Sequence, residues 1–332
     1  MKKKIMIFNV PAQELGALSI LKNSFKQAIN DKNEYIFVIS GNYLKEQSNV
    51  KVVKFPWVKK SWIHRIFFDT FITKKLIQKE NVSEVISYQN MIVKAPKNIP
   101  QTIYLHNAIP FSNIKFSIFK EPKLWIYQNI LSKKIFASLK KADQIIVQTN
   151  WMKTKILNSV GEVSSNQIII EDTSSLLQNL IGKKKYSEQK DSLNLFIYPA
   201  APFAYKNHYD IIEAVKKISR EKRNMLQIIF TFRGDENILA SKIKSEINRE
   251  NLPITLIGKL SHEKAQEYLL THRLLFSSKL ETLGLPLLEA QLFDTPIVCL
   301  DSELFREVTE DYNNVTFYKN KYELANILSE KN

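Results

Sequence analysis

The feature that most restricts this chain is an alternation, carried along nearly its whole length, of short β-branched or aromatic runs with longer stretches of helical period. Four to six apolar residues in a row suit a strand buried on both faces, and an amphipathic stretch after each suits a helix that covers one of them. Repeated in that order, the two elements make a parallel sheet with crossover helices. In the first half, strands are expected at 5–10, 35–39, 50–54, 84–87, 102–105, 144–148 and 167–170, with helices near 15–30, 61–79, 123–140 and 151–160. The same alternation restarts with strands at 193–198, 226–232, 254–257, 274–277, 297–300 and 315–318 and helices near 207–220, 237–251, 263–270, 285–293 and 322–330. Residues 173–192 between them are polar and charged and read as a linker. The expected architecture is therefore two α/β domains, 1–172 and 193–332, with a cleft between them.

Composition narrows the function classes. Hydrophobic residues make up 44% of 332, too many for a disordered chain. The net charge of +15 is uneven: residues 1–180 hold 26 basic and 12 acidic side chains, whereas residues 181–332 hold 22 and 21. Such a one-sided field suggests an anionic partner for the first half: a membrane surface, a phosphorylated lipid or nucleic acid. The single cysteine, Cys299, excludes an intrachain disulfide. With no apolar run of about 18 residues and no secretory leader pattern, a cytoplasmic protein is expected. None of the seven glycines forms the GxGxxG or GxxxxGK[ST] phosphate loop, and neither GxSxG nor HExxH occurs. His64, His106, His208, His262 and His272 lack metal spacing, so no metal and no cofactor is expected. Phosphate, if bound, must then be met by Lys, Arg or helix N-termini.

Two segments answer that description. Glu281-Thr282-Leu283-Gly284-Leu285-Pro286 follows an expected strand and enters a helix that carries Glu289. Amides of Leu283 and Gly284 at a helix mouth suit a diphosphate. Glu289, among apolar neighbours, needs a partner: a ribose diol or a nearby Lys or Arg. Lys206 enters a helix from the carboxyl end of the strand at 193–198, where open α/β sheets bind ligands.

Here the sequence resembles glycosyltransferase family 4, the retaining enzymes of the GT-B fold. The likeness is carried by Lys206-Asn207, Phe230-Thr231-Phe232-Arg233-Gly234, Ile257-Gly258, and Glu281 through Pro286 with Glu289-Ala290. It implies two Rossmann-like βαβ domains facing a central cleft, the first for the acceptor and the second for a nucleotide-sugar donor. By resemblance Lys206 meets the donor diphosphate, and Glu281 holds the transferred sugar. Thr282, Leu283 and Gly284 form the phosphate loop, Glu289 holds the ribose, and Arg233 and Gly258 lie near the base. Many relatives place an Arg five residues before the lysine; Ala201 stands there in this chain, with Arg233 as a candidate replacement. In the first half, Gln13-Glu14-Leu15-Gly16 resembles the loop that approaches donor phosphate, and His106 resembles a histidine that reaches the donor sugar.

Residues 55–79 interleave Trp57, Trp62, Ile63, Ile66, Phe67, Phe68, Phe71 and Ile72 with Lys59, Lys60, Arg65, Lys74, Lys75 and Lys79, next to Lys54, the composition of an interfacial helix on anionic lipid. The combined expectation is a metal-independent retaining hexosyltransferase of polysaccharide biosynthesis. It would transfer a sugar from a nucleoside-diphosphate sugar to a glycan or lipid-linked oligosaccharide at the cytoplasmic membrane face, with no nucleic-acid partner. The competing readings are a non-catalytic polyanion-binding protein and a GT-B epimerase or phosphorylase.

Overall fold

Strands form where the β-branched runs stand in the computed structural model, which describes residues 2–11, 15–173, 177 and 194–330. The chain divides into two compact units, Met1–Leu176 and Leu177–Asn332. The expected linker at 173–192 lies outside the described residues apart from Thr173 and Leu177.

In the first unit, β1 (Lys4–Phe8), β2 (Glu34–Ile39), β3 (Val50–Lys54), β4 (Glu84–Ser87), β5 (Gln101–Tyr104), β6 (Gln144–Val147) and β7 (Ile168–Ile170) make one sheet of order β3-β2-β1-β4-β5-β6-β7. All pairs are parallel, with Phe8 beside both Val38 and Ser87. Successive side chains of β1 and β2 feed opposite faces. Ile5, Ile7, Phe37 and Ile39 pack with Leu21 and Ala28 of α1 (Leu15–Ile29), whereas Met6, Phe8, Ile36 and Val38 pack with Val58, Phe68 and Ile77. The second unit repeats the scheme with β8 (Leu195–Tyr198), β9 (Gln227–Phe230), β10 (Ile254–Leu256), β11 (Arg273–Phe276), β12 (Ile297–Leu300) and β13 (Val315–Tyr318), in the order β10-β9-β8-β11-β12-β13. Strand order reverses between β1 and β4 in one sheet and between β8 and β11 in the other.

Two expected helices are interrupted. The stretch read as one helix over 61–79 is α2 (Trp62–Phe67), a π turn (Phe68–Ile72) and α3 (Thr73–Lys79); that over 123–140 is α4 (Pro122–Ile126), a π turn (Tyr127–Leu131) and α5 (Ser132–Leu139). A π turn takes an extra residue and so rotates the following face. It lets Phe68 and Thr73 face inward while Trp62, Ile63, Ile66, Phe67 and Phe71 stay exposed. The chain continues through α6 (Asn150–Ser159), α7 (His208–Lys217), α8 (Arg220–Arg223), α9 (Ile238–Arg249), α10 (His262–Leu269), α11 (Leu285–Leu292), α12 (Glu303–Val308) and α13 (Lys321–Ser329). Thr149, Asn237, Ser261, Ser302 and Asn320 cap α6, α9, α10, α12 and α13 with side-chain oxygens. The six-residue α12 escapes the sequence reading because only Leu304 and Phe305 of it are buried, too few to show a period. Several expected strands run past the observed ends at their carboxyl side; Phe232, beyond β9, is fully buried yet outside the ladder.

His208 shows how tightly this edge is packed. Its ring lies 4.8 Å from that of Tyr198, 4.9 Å from Phe230 and 5.1 Å from Phe232, and the residue is 2% exposed. Burial, with the nearby Lys206 charge adding to it, lowers the imidazole to about 3. A group whose folded pKa lies below its unfolded value of about 6.5 destabilises the fold as pH drops, because the unfolded chain takes up the proton first. Urea unfolding between about pH 6.5 and pH 5 should therefore lose up to about 1.4 kcal/mol per pH unit through His208, and His208→Phe should flatten that slope.

Candidate functional site

The order reversal at β8 and β11 opens the carboxyl edge of the second sheet, and the loops that leave these two strands are tied together there. After β8 the chain makes a 3-10 turn, Ala204–Lys206, then a left-handed residue, Asn207 (φ 57°, ψ 38°), before α7. Lys279 N donates to Tyr205 O at 2.7 Å, Ser277 Oγ to Asn207 O at 3.1 Å and Tyr198 Oη to Lys206 O at 2.6 Å. These bonds hold Lys206 opposite Glu281, and its ammonium forms an ion pair with Glu281 Oε1. Both side chains are mostly buried, 19% and 18% exposed, so the pair is poorly screened by solvent. The Lys206 ammonium also lies 5.6 Å from the centre of the Tyr205 ring. Burial, reinforced by Glu281, pushes the Tyr205 hydroxyl well above its ordinary range, so it remains a proton donor.

Beyond Glu281, half-buried Thr282 and buried Leu283 lead to Gly284, the N-cap of α11, at φ 82° and ψ 56°. Glycine offers no capping oxygen, and Pro286 fixes the first turn without an amide hydrogen. The entrance of α11 therefore carries no side-chain cap, and Leu287 N turns back to donate to Gly284 O at 2.8 Å. Five residues on, about 7.5 Å along the helix, Glu289 is 5% exposed. Its Oε1 accepts from Gln266 Nε2 at 3.0 Å and lies 2.9 Å from His262 Nε2, and those two nitrogens are 2.7 Å apart. Glu289 thus finds its partners on α10, neither of them the Lys or Arg considered from sequence. His262 and Gln266 stand one turn apart on α10, and nothing local in the sequence relates them to Glu289.

Arg233 and Gly258, expected near one another, are brought together. Gly258 (φ +85°) leaves room for Arg233, whose Cγ would lie 3.2 Å from an added Cβ. The loop after β9 closes on Glu236, whose carboxylate accepts from the amides of Arg233 (2.6 Å), Gly234 (2.9 Å) and Asp235 (3.2 Å). Burial acts to raise its pKa, but these amides outweigh it and hold the carboxyl below its ordinary value.

His106 and Gly16 belong to the first unit. His106 follows β5, its amide donates to Asn90 Oδ1 at 2.9 Å, and its Nδ1 is buried without a partner. Burial lowers its imidazole to about 4, so it is neutral at physiological pH. Gly16 lies in the first turn of α1, while Gln13 and Glu14 fall outside the described residues. Among the described residues no three His, Cys, Asp or Glu side chains are grouped to hold a metal ion, and no helix is long and apolar enough to cross a membrane.

A cation and a carboxylate thus stand together at a switch point, beside a glycine-opened helix mouth, and such groups can pair with phosphate and hydroxyl oxygens. Residues 182–330 match the family described as Glycosyl transferases group 1. The chain as a whole has two parallel-sheet α/β Rossmann-like units, and its structural neighbours are GT-B glycosyltransferases. RfbU, an O-antigen chain mannosyltransferase of Salmonella typhimurium, is 24% identical over 209 residues, 63% of this chain; the match spans 54% of RfbU, about half its length. The fold is similar to that of sucrose-phosphate synthase from Thermosynechococcus elongatus, with a TM-score of 0.72 and 14% identity over 98% of this chain and 89% of that one. It is also similar to Anabaena HepE in complex with UDP-glucose, with a TM-score of 0.64 and 15% identity over 98% of this chain and 88% of that one.

The left-handed Gly284 is the hinge of the helix mouth. Gly284→Ala should cost about 1–2 kcal/mol, because a side chain is strained at that backbone and its Cβ would stand 3.1 Å from Leu287 Cδ1. Gly161→Ala, where an added Cβ meets nothing within 4 Å, is the control in the same denaturation series.

Proposed function

We propose that the protein is a retaining glycosyltransferase of family 4 type that transfers a sugar from a nucleoside-diphosphate sugar to a glycan or lipid-linked acceptor in polysaccharide assembly, without a metal. The observation that carries this reading is the Lys206–Glu281 pair at the β8/β11 switch point, inside the domain matched to Glycosyl transferases group 1. Lys206 and the α11 amides supply positive potential where a diphosphate leaving group gains charge, as preorganised donors do in a water-poor site. Glu281, adjacent to Lys206, accepts hydroxyls of the transferred sugar, and Glu289 accepts those of the ribose. RfbU, named for O-antigen transfer, and HepE, solved with UDP-glucose, support the acceptor and donor classes. Arg233 stands in for the phosphate-binding Arg that Ala201 replaces.

The reading extends to an anionic membrane surface at the cytoplasmic face. Trp62 (62% exposed), Ile63 (78%), Ile66 (58%) and Phe71 (54%) form an apolar face on and after α2. Lys60, Lys74, Lys75 and Lys79 are exposed around it, within a half of the chain that carries nearly all of the excess positive charge.

The donor reading is tested by melting in the presence of UDP, GDP, ADP and their sugar conjugates. A ligand at about 100 times its dissociation constant stabilises the native state by about 2.7 kcal/mol. One nucleotide family should raise the melting temperature, and Glu289→Ala should abolish the rise. Lys206→Ala should lower turnover by about 100-fold or more with the fold retained, and turnover should survive EDTA. Wild-type turnover in Lys206→Ala rejects the assignment. Cosedimentation with phosphatidylglycerol vesicles tests the membrane contact: the double variant Ile63→Asp, Ile66→Asp should stay in the supernatant, and equal binding by wild type and variant would refute it.

A further inference from the structure

The loops that leave β8 and β11 are joined by two ion pairs that run in opposite directions. Lys206, behind β8, meets Glu281 behind β11. Lys279, behind β11, reaches back to Asp210 in the first turn of α7, with Nζ 3.7 Å from Oδ2. Each segment thus gives one cation and one carboxylate, but the two pairs are unlike. Lys206 and Glu281 are in close contact and mostly buried. The side chains of Lys279 and Asp210 are 46% and 28% exposed and stand too far apart for a hydrogen bond. Asp210 has a closer partner in Asn207, whose Nδ2 donates to Oδ2 at 2.5 Å and whose carbonyl accepts from the Asp210 amide at 3.2 Å. The Lys279 backbone is pinned, its amide donating to Tyr205 O at 2.7 Å, so only its flexible four-carbon stem is left to move.

The charge count gives this lysine a task. A diphosphate carries more negative charge than one ammonium balances, and the Lys206 ammonium is already matched by Glu281. Ala201 adds no cation behind β8. Arg233 belongs to the loop behind β9, where its side chain lies along Gly258, with Cγ and Nε 3.2 and 3.3 Å from where a Cβ would stand. Lys279, in contrast, lies in the same loop as Glu281 and only two residues before it. A half-exposed ion pair at 3.7 Å contributes little to stability, so breaking it costs little. Asp210 then keeps its bond from Asn207, and no bare carboxylate is left behind.

We propose that Lys279 is a further cation of the diphosphate site, parked on Asp210 while the site is empty and transferred to the phosphate oxygens when a nucleoside diphosphate enters. The inference rests on the nucleotide-sugar reading above, which it deepens by naming a residue pair that sets donor affinity. Lys206 and Lys279 then approach the diphosphate from the two facing loops of the switch point, and Asp210 acts as a competitor that keeps Lys279 off the ligand. The signs follow from this exchange: removing the ammonium weakens nucleotide binding, and removing the Asp210 charge strengthens it. An ion pair that only braced the two loops would respond to either change in the same direction.

The test titrates the full chain with UDP, GDP and ADP in a calorimeter at one fixed ionic strength. For whichever diphosphate binds the wild type, Lys279→Gln should raise the dissociation constant by about tenfold or more, the size of one charge-assisted hydrogen bond. Lys279→Arg, which keeps the charge, should restore binding, and Asp210→Asn should tighten it by about threefold, the scale of one exposed ion pair. If Asp210→Asn fails to fold, the contrast between Lys279→Gln and Lys279→Arg carries the test. Wild-type affinity in Lys279→Gln overturns the proposal. So does weaker binding in a folded Asp210→Asn, which makes the pair a brace, and so does a loss in Arg233→Gln with none in Lys279→Gln. Failure of all three diphosphates to bind the wild type rejects the nucleotide-sugar reading itself, whereas binding indifferent to Lys279 rejects only the transfer from Asp210.

Discussion

A parallel sheet has to be covered on both faces, because its connections lay helices across each of them and its strands are apolar throughout. In both units this obligation removes the strand interiors from chemistry: Phe8, Phe37, Ile197, Phe230 and Val298 are all fully buried. Polar side chains that must meet a ligand are left with the strand ends, and at the carboxyl ends the strand order opens a gap once per sheet. Lys206 and Glu281 occupy that gap in the second unit, and Arg65, Gln89 and Asn90 occupy it in the first. The same constraint acting twice produces two polar sites on otherwise apolar sheets.

The second site is arranged around charge that is already compensated. Glu281 neutralises Lys206, and Glu236 fills the amides of its own loop. A mostly buried ion pair gains Coulomb energy at the cost of desolvation, and removing one member strands the other. An anion that displaced Glu281 from Lys206 would therefore exchange one partner for another rather than meet bare charge. Glu289 follows the same rule with His262 and Gln266 as partners. Its carboxylate is positioned by α10.

In the first unit the winding of the helices matters as much as their presence. An unbroken α-helix over 61–79 would rotate Phe68, Thr73 and Ile77 off a single buried face. The π turn at Phe68–Ile72 restores that face, with Thr73 Oγ1 donating to Asp69 O and Lys94 O, both at 3.0 Å. The consequence is a short α2 with two unlike sides: Arg65 turned to Gln89, and Trp62, Ile63 and Ile66 left in solvent. The interleaving of aromatics and cations at 55–79 is visible in the sequence, but it does not reveal that Phe68 belongs to the core and Phe67 and Phe71 do not.

Local patterns sufficed for the strands and most helices, and for the place of those candidate residues that sit directly behind a strand. Runs such as Val50–Lys54 and Ile297–Leu300 mark strands because β-branched residues suit a pleated, buried ladder. Lys206, Glu281 and Gly284 are legible because a strand, a Gly- or Pro-marked loop and a helix follow one another in the chain, and the helix mouth needs nothing remote. The six-residue α12 and the two π turns were not legible, since each depends on a handful of packing contacts rather than on a period. The partners His262 and Gln266 of Glu289, the approach of Arg65 to Gln89, and the enclosure of His208 by Tyr198, Phe230 and Phe232 were decided only by the tertiary structure. Those contacts join segments from 10 to 27 residues apart, from His208 with Tyr198 to His262 with Glu289. Hydrogen bonds and ring packing depend on distances of a few ångströms between such segments, and those distances come into being only when the sheets assemble.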